Sequence, residues 1–300
     1  MFTYTKTTKI LMKDIEQPNK NHNLIYDVGM HKGEDTAYYL KKGFKVIAFE
    51  ADPTLAEQCR QKFANEIEKG KLVIVEGAII EFSTERENKN TVSFFKNNEN
   101  SVWGTVDSNW ADRNEHLGTS NEVIEVQAID FSKYLQQYGI PYYLKIDIEG
   151  MDLVCLEALK NFNEKPDYIS IESEKVSFNK LIKEFELFKQ LGYTKFQAIN
   201  QQNITRQKEQ NPSKEGVFLN YKFQGGSSGV FGTDLPNKWK SYKQILRNYK
   251  YIFMGYKYFG DNGLLCGKFV EKILLKIINK FSKSTVPGWY DTHAKHDTSK

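Results

Sequence analysis

Asn23-Leu24-Ile25-Tyr26-Asp27-Val28-Gly29-Met30-His31-Lys32-Gly33-Glu34-Asp35-Thr36 is the stretch that decides the fold. Its first half is an apolar run closed by a carboxylate and a glycine, the pattern of a buried strand. Its second half opens a helix over Glu34 to Lys42, which Gly43 stops. A glycine-bearing turn between strand and helix suits a ligand, because the backbone can approach it closely. The spacing is GxxxG, without the third glycine of a dinucleotide fingerprint. A carboxylate at Asp27 would repel a pyrophosphate. It suits a ligand with a positive ammonium and sulfonium, such as S-adenosylmethionine. An ordinary βα turn is the competing structural reading.

Outward from this stretch, Lys45 to Phe49 reads as a second strand and Lys71 to Val75 as a third. Pro53 to Glu68 reads as a helix between them, with proline in the tolerant first turn. Strands at Thr91 to Lys96 and Glu122 to Ile129 flank a polar loop carrying Trp103 and Trp110. Alternation resumes with strand Pro141 to Asp147, helix Asp152 to Lys160, strand Asp167 to Ile171 and helix Phe178 to Leu191. Tyr193 to Ile199 and Val217 to Phe223 are expected as closing strands, and the tail beyond Pro287 as irregular. The pattern predicts an α/β protein with a doubly wound, mostly parallel sheet and right-handed crossovers. The expected units are a lead over 1–22, the α/β domain over 23–224, and a basic, mostly helical extension over 225–300.

The 300 residues are 40% hydrophobic and 14% aromatic with a net charge of +4, which excludes disordered, collagen-like and disulfide-rich classes. Cys59, Cys155 and Cys266 are odd in number and far apart, as free thiols in a reducing compartment would be. The N-terminus has no signal-like apolar core. The stretch Leu264 to Phe281 is broken by Lys268, Glu271, Lys272, Lys276 and Lys280, so it is not expected to span a bilayer. A cytoplasmic location is the expectation. Between Asn220 and Lys283 there are 12 Lys and Arg against 3 Asp and Glu. This is either a solvated basic face or a surface for an anionic glycan, membrane or RNA.

Two further motifs carry chemistry. Glu50, in Phe49-Glu50-Ala51-Asp52-Pro53, ends the second strand, where an acidic side chain accepts hydrogen bonds from ribose hydroxyls. Asp52 suits the cap of the next helix. In Leu144-Lys145-Ile146-Asp147-Ile148-Glu149-Gly150, charged residues alternate with apolar ones at a strand end. Alternate side chains share a face, so Lys145, Asp147 and Glu149 are expected to project together, with Glu172 as a fourth charged neighbour. Buried charge is costly unless paired or used, so this is an ion pair or a reaction centre.

DVGMHKGEDT (27–36), FEADP (49–53) and KIDIEG (145–150), in this order and spacing, resemble the FkbM-type S-adenosylmethionine-dependent methyltransferases. The resemblance covers Asn23 to Asn200. It implies a class I methyltransferase-like Rossmann fold and O-methylation of a hydroxyl, commonly on a sugar or natural product. It also implies that Asp27, Gly29 and Gly33 hold the methionine end of the cofactor and Glu50 the ribose, with Asp147 and Glu149 at the reaction centre. Position 31 departs from the family, which more often has Asn; His31 could touch cofactor or substrate, or act as base. SSGVFGTDLPNKW (227–239) and GWYDTHAK (288–295) look like segments of a subgroup.

An alcohol needs a base to act as a nucleophile at neutral pH. Asp147 is the expected base, tuned by Glu149 and Lys145, and His31, which ordinarily titrates near neutrality, is its rival. Asp147, Glu149 and Glu172 form a weak candidate site for Mg²⁺. His293 and His296 are expected near a mobile terminus, not as a zinc pair. Trp103, Trp110, Arg113 and Glu172 are candidate acceptor contacts, since aromatic faces stack on sugar rings. The segment around Ser241 to Phe259 is a candidate acceptor lid, membrane-surface helix or oligomer contact. The expected partner is a glycan or small-molecule acceptor, not nucleic acid. A nucleic-acid methyltransferase, an NAD-type oxidoreductase and a non-catalytic binding domain are the alternatives.

Overall fold

The computed structural model describes residues 17–81, 90–116, 118–174, 177–259, 264–265 and 289–299. Cys266 and most of the Leu264–Phe281 stretch lie outside them.

Strands β1 (Lys20–Val28), β2 (Lys45–Glu50) and β3 (Leu72–Glu76) pair in parallel, joined by helix α1 (Glu34–Lys41) and then by α2 (Pro53–Lys62) and α3 (Ala64–Glu68). The single helix expected over 53–68 is broken at Phe63, which leaves helical geometry and lays its ring against Gly33. Asp52 caps α2 by accepting from the Thr54 N–H at 2.8 Å. A short strand β4 (Ala78–Ile79), β5 (Thr91–Asn97) and β6 (Asn121–Ile129) form a separate small sheet. Helix α4 (Ser108–His116) lies between β5 and β6, so much of the expected polar loop is helical. Helix α5 (Phe131–Tyr138), absent from the sequence reading, leads into β7 (Ile140–Ile146). Then follow α6 (Asp152–Leu159), β8 (Tyr168–Glu172), α7 (Phe178–Gln190), β9 (Tyr193–Asn200), α8 (Tyr242–Phe259) and β10 (Tyr290–His296).

The main sheet runs β3-β2-β1-β7-β8-β10-β9. All its neighbours are parallel except β10, which is antiparallel to both β8 and β9. Two expectations are corrected here. The tail beyond Pro287 is not irregular: 290–296 lies inside the sheet and is no part of an appendage. Its burial comes from pairing on both edges, which its polar sequence does not advertise. Val217 to Phe223 is not a strand; its backbone serves other contacts, with Val217 N–H donating to Lys42 O and Leu219 N–H to Glu209.

Both faces of the sheet are covered. On one, Leu135, Leu156, Phe185, Phe188, Ile245 and Tyr249 pack from α5, α6, α7 and α8. On the other, Tyr38, Tyr39, Cys59 and Phe63 are joined by Phe223, Val230 and Phe231 from the long segment after β9. Burying each large apolar side chain contributes about 1.5–3 kcal/mol. That segment is fastened by a fully buried ion cluster, in which Lys42 meets Glu209 and Asp234 (3.1 Å) and donates to Ser213. Strand order reverses between β1 and β7, and such switch points open a crevice at the carboxyl ends of the strands.

Candidate active site

The crevice is a cleft of about 870 Å³ including its open mouth, walled by the ends of β1, β2 and β7 and by the small sheet. Gly29, Met30 and His31 form its floor, Phe49, Ala51, Ile79 and Phe94 supply apolar wall, and Glu50, Asp147 and Glu149 bring carboxylates.

Glu50 is buried at the end of β2. Its Oε2 accepts from the His31 N–H at 2.7 Å and its Oε1 from the Asp52 N–H at 2.9 Å. Each oxygen keeps a further lone pair for a donor in the cleft. Burial pushes the Glu50 carboxyl up to about 7, against those two hydrogen bonds. His31 adopts φ 52°, and its Nε2 lies 2.8 Å from Ser101 Oγ, across the cleft. Its Nδ1 is 3.5 Å from Glu34. Burial works against the Glu34 charge, but the contact with His31 outweighs it and lowers that pKa.

Asp27 is fully buried and does not line the cleft. It accepts from Thr36 Oγ1 at 2.6 Å and pairs with Lys145 Nζ at 3.2 Å. Lys145 donates to Gly29 O at 2.6 Å and stands 4.0 Å from Asp35 and 3.9 Å from Asp147. Burial would discharge this ammonium; Asp27, Asp147 and Asp35 outweigh it and push its pKa above that of an ordinary lysine. Asp27 thus faces a positive side chain of the protein itself. Gly29 and Gly33 are also needed internally: a Cβ on Gly29 would sit 1.9 Å from the Asp147 carbonyl oxygen, and one on Gly33 would sit 2.5 Å from the Phe63 ring.

Asp147 lies beyond the end of β7, with its side chain about half exposed (46%). Glu149 does not continue the strand alternation. It has φ 40°, and its carbonyl accepts from Thr105 Oγ1 at 2.7 Å. The loop is shaped from below by Asp152, whose carboxylate accepts from the N–H groups of Ile148 (3.0 Å) and Gly150 (3.2 Å). Burial pushes Asp152 up to about 7.

Of the candidate acceptor contacts, none lines the cleft. Trp110 lies against Gly150, where a Cβ would come within 2.4 Å of its ring, and the Arg113 guanidinium covers that ring at 4.8 Å. Trp103 accepts at its carbonyl from Asn114 at 3.2 Å. Residues of the same segment that do reach the cleft are Ser101, Val102 and Gly104 to Val106. Glu172 ends β8 opposite Asp291 of β10. Among the described residues no three His, Cys, Asp or Glu side chains converge as a metal site, so Asp147, Glu149 and Glu172 do not form that set. His293 is buried in β10, and burial lowers its pKa to about 3.

Sequence reasoning missed Asp35, Asp152 and Asp291. Asp35 takes the Ser228 N–H on both oxygens (2.9 and 3.0 Å), pinning the Gly225–Gly229 turn, and Gly226 of that turn reaches the cleft. Burial, with Asp147 and Glu172 nearby, raises the Asp291 pKa well above its ordinary value. Asp35 stood inside a quoted motif and Asp152 two residues beyond another, so an unexplained acid at a motif was the available signal. Asp291 gave none.

The Methyltransferase FkbM domain matches residues 27–195. Similar solved structures include a SAM-dependent methyltransferase from Archaeoglobus fulgidus (10% identity, 92% of this chain and 87% of that one, TM-score 0.37). Another is precorrin-6y C5,15-methyltransferase from Geobacter metallireducens GS-15 (12% identity, 68% and 76%, TM-score 0.31). No match is found among curated proteins. The fold is the class I methyltransferase type, and the chain belongs to the FkbM methyltransferase family.

Proposed function

We propose that the protein is an S-adenosylmethionine-dependent O-methyltransferase acting on a hydroxyl of a sugar or glycan. The observation that carries this reading is the contrast between Asp147 and its neighbours. Asp27, Asp35, Glu50, Asp152 and Asp291 are buried, whereas Asp147 opens into the cleft beside a permanently charged lysine.

The cleft fits the cofactor that the family implies. Apolar wall at Phe49, Ala51, Ile79 and Phe94 suits a flat base, and the free lone pairs of Glu50 suit a vicinal diol. Gly29, Met30 and His31 would hold the remainder. Bound there, S-adenosylmethionine supplies a methyl group on a positively charged sulfur.

The chain's own residues do the rest. Asp147 orients the acceptor hydroxyl and takes its proton, a general-base role worth about 10²–10⁴ in rate. Lys145 holds Asp147 electrostatically and ties it to Gly29 O, so the base and the cofactor turn share one support. Asp27 and Asp35 keep Lys145 charged. Asp152 and Thr105 fix the loop that carries Asp147 and Glu149. His31, whose Nε2 is bonded to Ser101, is not the first candidate for the base. The acceptor class rests on the family.

Incubation with S-adenosylmethionine labelled at the methyl group and native cell-surface glycans tests the reading. It predicts an alkali-stable ether, recovered as a methylated sugar. Label in an alkali-labile ester or on nitrogen contradicts it.

A further inference from the structure

Helix α8 has two faces. Ile245 and Tyr249 are buried against the sheet, where the Tyr249 hydroxyl joins Ser173 and Thr292 (2.7 Å to Thr292). The opposite face exposes Lys243, Arg247, Lys250 and Lys257. Tyr251, Met254 and Tyr258 share that face, exposed to 66%, 56% and 40%. At 3.6 residues per turn these seven fall within an arc of about 120°. The 18 residues contain no Asp or Glu and extend over about 27 Å.

We infer that this face docks on an anionic lipid bilayer. A basic helix face with aromatic and thioether side chains among its cations is the chemistry of the interface between headgroups and acyl chains. Lys and Arg meet the anionic headgroups, while Tyr251, Met254 and Tyr258 enter the boundary. An RNA surface would match the cations and stack on the tyrosines, but it leaves the exposed thioether of Met254 among them without a role. None of the described helices is long and apolar enough to cross a membrane.

The test is sedimentation of the full chain with phosphatidylcholine vesicles, with and without phosphatidylglycerol, over a range of salt. Pelleting only with the anionic vesicles, weakened by salt, is expected. Lys243→Glu/Arg247→Glu/Lys250→Glu should lower partitioning by at least about a hundredfold. Tyr251→Ser/Met254→Ser should lower it without changing the salt dependence. Unchanged thermal unfolding of both variants, and unchanged S-adenosylhomocysteine binding, separate loss of docking from loss of fold. Equal pelleting with neutral vesicles, wild-type pelleting of the charge-reversed chain, or binding to RNA without pelleting overturns the inference.

Discussion

The two flanks of the main sheet are built differently. From β1 to β3 each strand neighbours the next in sequence, and the turns between them carry Gly29, His31 and Glu50 directly into the cleft. From β8 to β9 the sheet is completed by β10, inserted from about ninety residues further along the chain. The first flank encodes its ligand chemistry locally. The second depends on remote segments, β10 within the sheet and α8 behind it, while a third remote stretch, 209–234, is clamped onto α1 of the first flank. The division suggests that damage to the local motifs should cost activity at constant stability, and damage to the remote fastenings should cost stability.

The largest expected effect is on activity. Asp147→Asn should bind S-adenosylhomocysteine as the wild type does and unfold at the same temperature, while kcat falls about 10²–10⁴-fold. Full turnover would remove Asp147 as the base and bring His31 forward. Next comes Lys42→Met, which strands Glu209 and Asp234 in the interior. Removing one member of a buried ion cluster costs about 3–5 kcal/mol, readable by denaturant unfolding. A loss below about 1 kcal/mol would show that the 209–234 clamp is not a main fastening.

His293 sharpens the comparison through pH. It is held neutral in the folded state with its pKa lowered to about 3, and Nε2 has no hydrogen-bond partner among the described residues. A depressed folded pKa stabilises above the unfolded value near 6.5, and that stabilisation is lost as pH falls toward 3. His293→Leu should therefore flatten the acid limb of the stability curve between those values. Glu50 has the opposite sign. Its pKa is raised to about 7, so its contribution is present below the unfolded value near 4.5 and is lost as pH rises toward 7. The smallest effect is that of Tyr249→Phe, which removes the hydroxyl shared by Ser173 and Thr292 and should cost about 1–3 kcal/mol without altering cofactor binding.

This difference between the flanks also governs what the sequence discloses. The β1–β3 strands, the GxxxG turn, Glu50 and the Asp147 loop are legible because periodicity, glycine and carboxylate all fall within short windows. Strand β10 is not, because Asp291, Thr292 and His293 are buried yet polar and carry no apolar alternation. Glu149 reaches the cleft with Lys145 and Asp147, but through a positive-φ turn beyond the strand, which ends at Ile146, and not by strand alternation. Trp103 and Trp110 suggested an acceptor platform. Their rings do not line the cleft, and the Trp110 ring instead supports the Gly150 turn, a role set by contacts 40 residues away.

The central claim is that the β1–β2 turns hold a nucleoside cofactor through Glu50. Calorimetric titration with S-adenosylhomocysteine, with NAD as control, tests it most directly. The account predicts micromolar binding of S-adenosylhomocysteine alone, weakened tenfold or more in Glu50→Gln, a change that keeps the shape and removes the charge. Absence of binding, or equal affinity in Glu50→Gln, would contradict it.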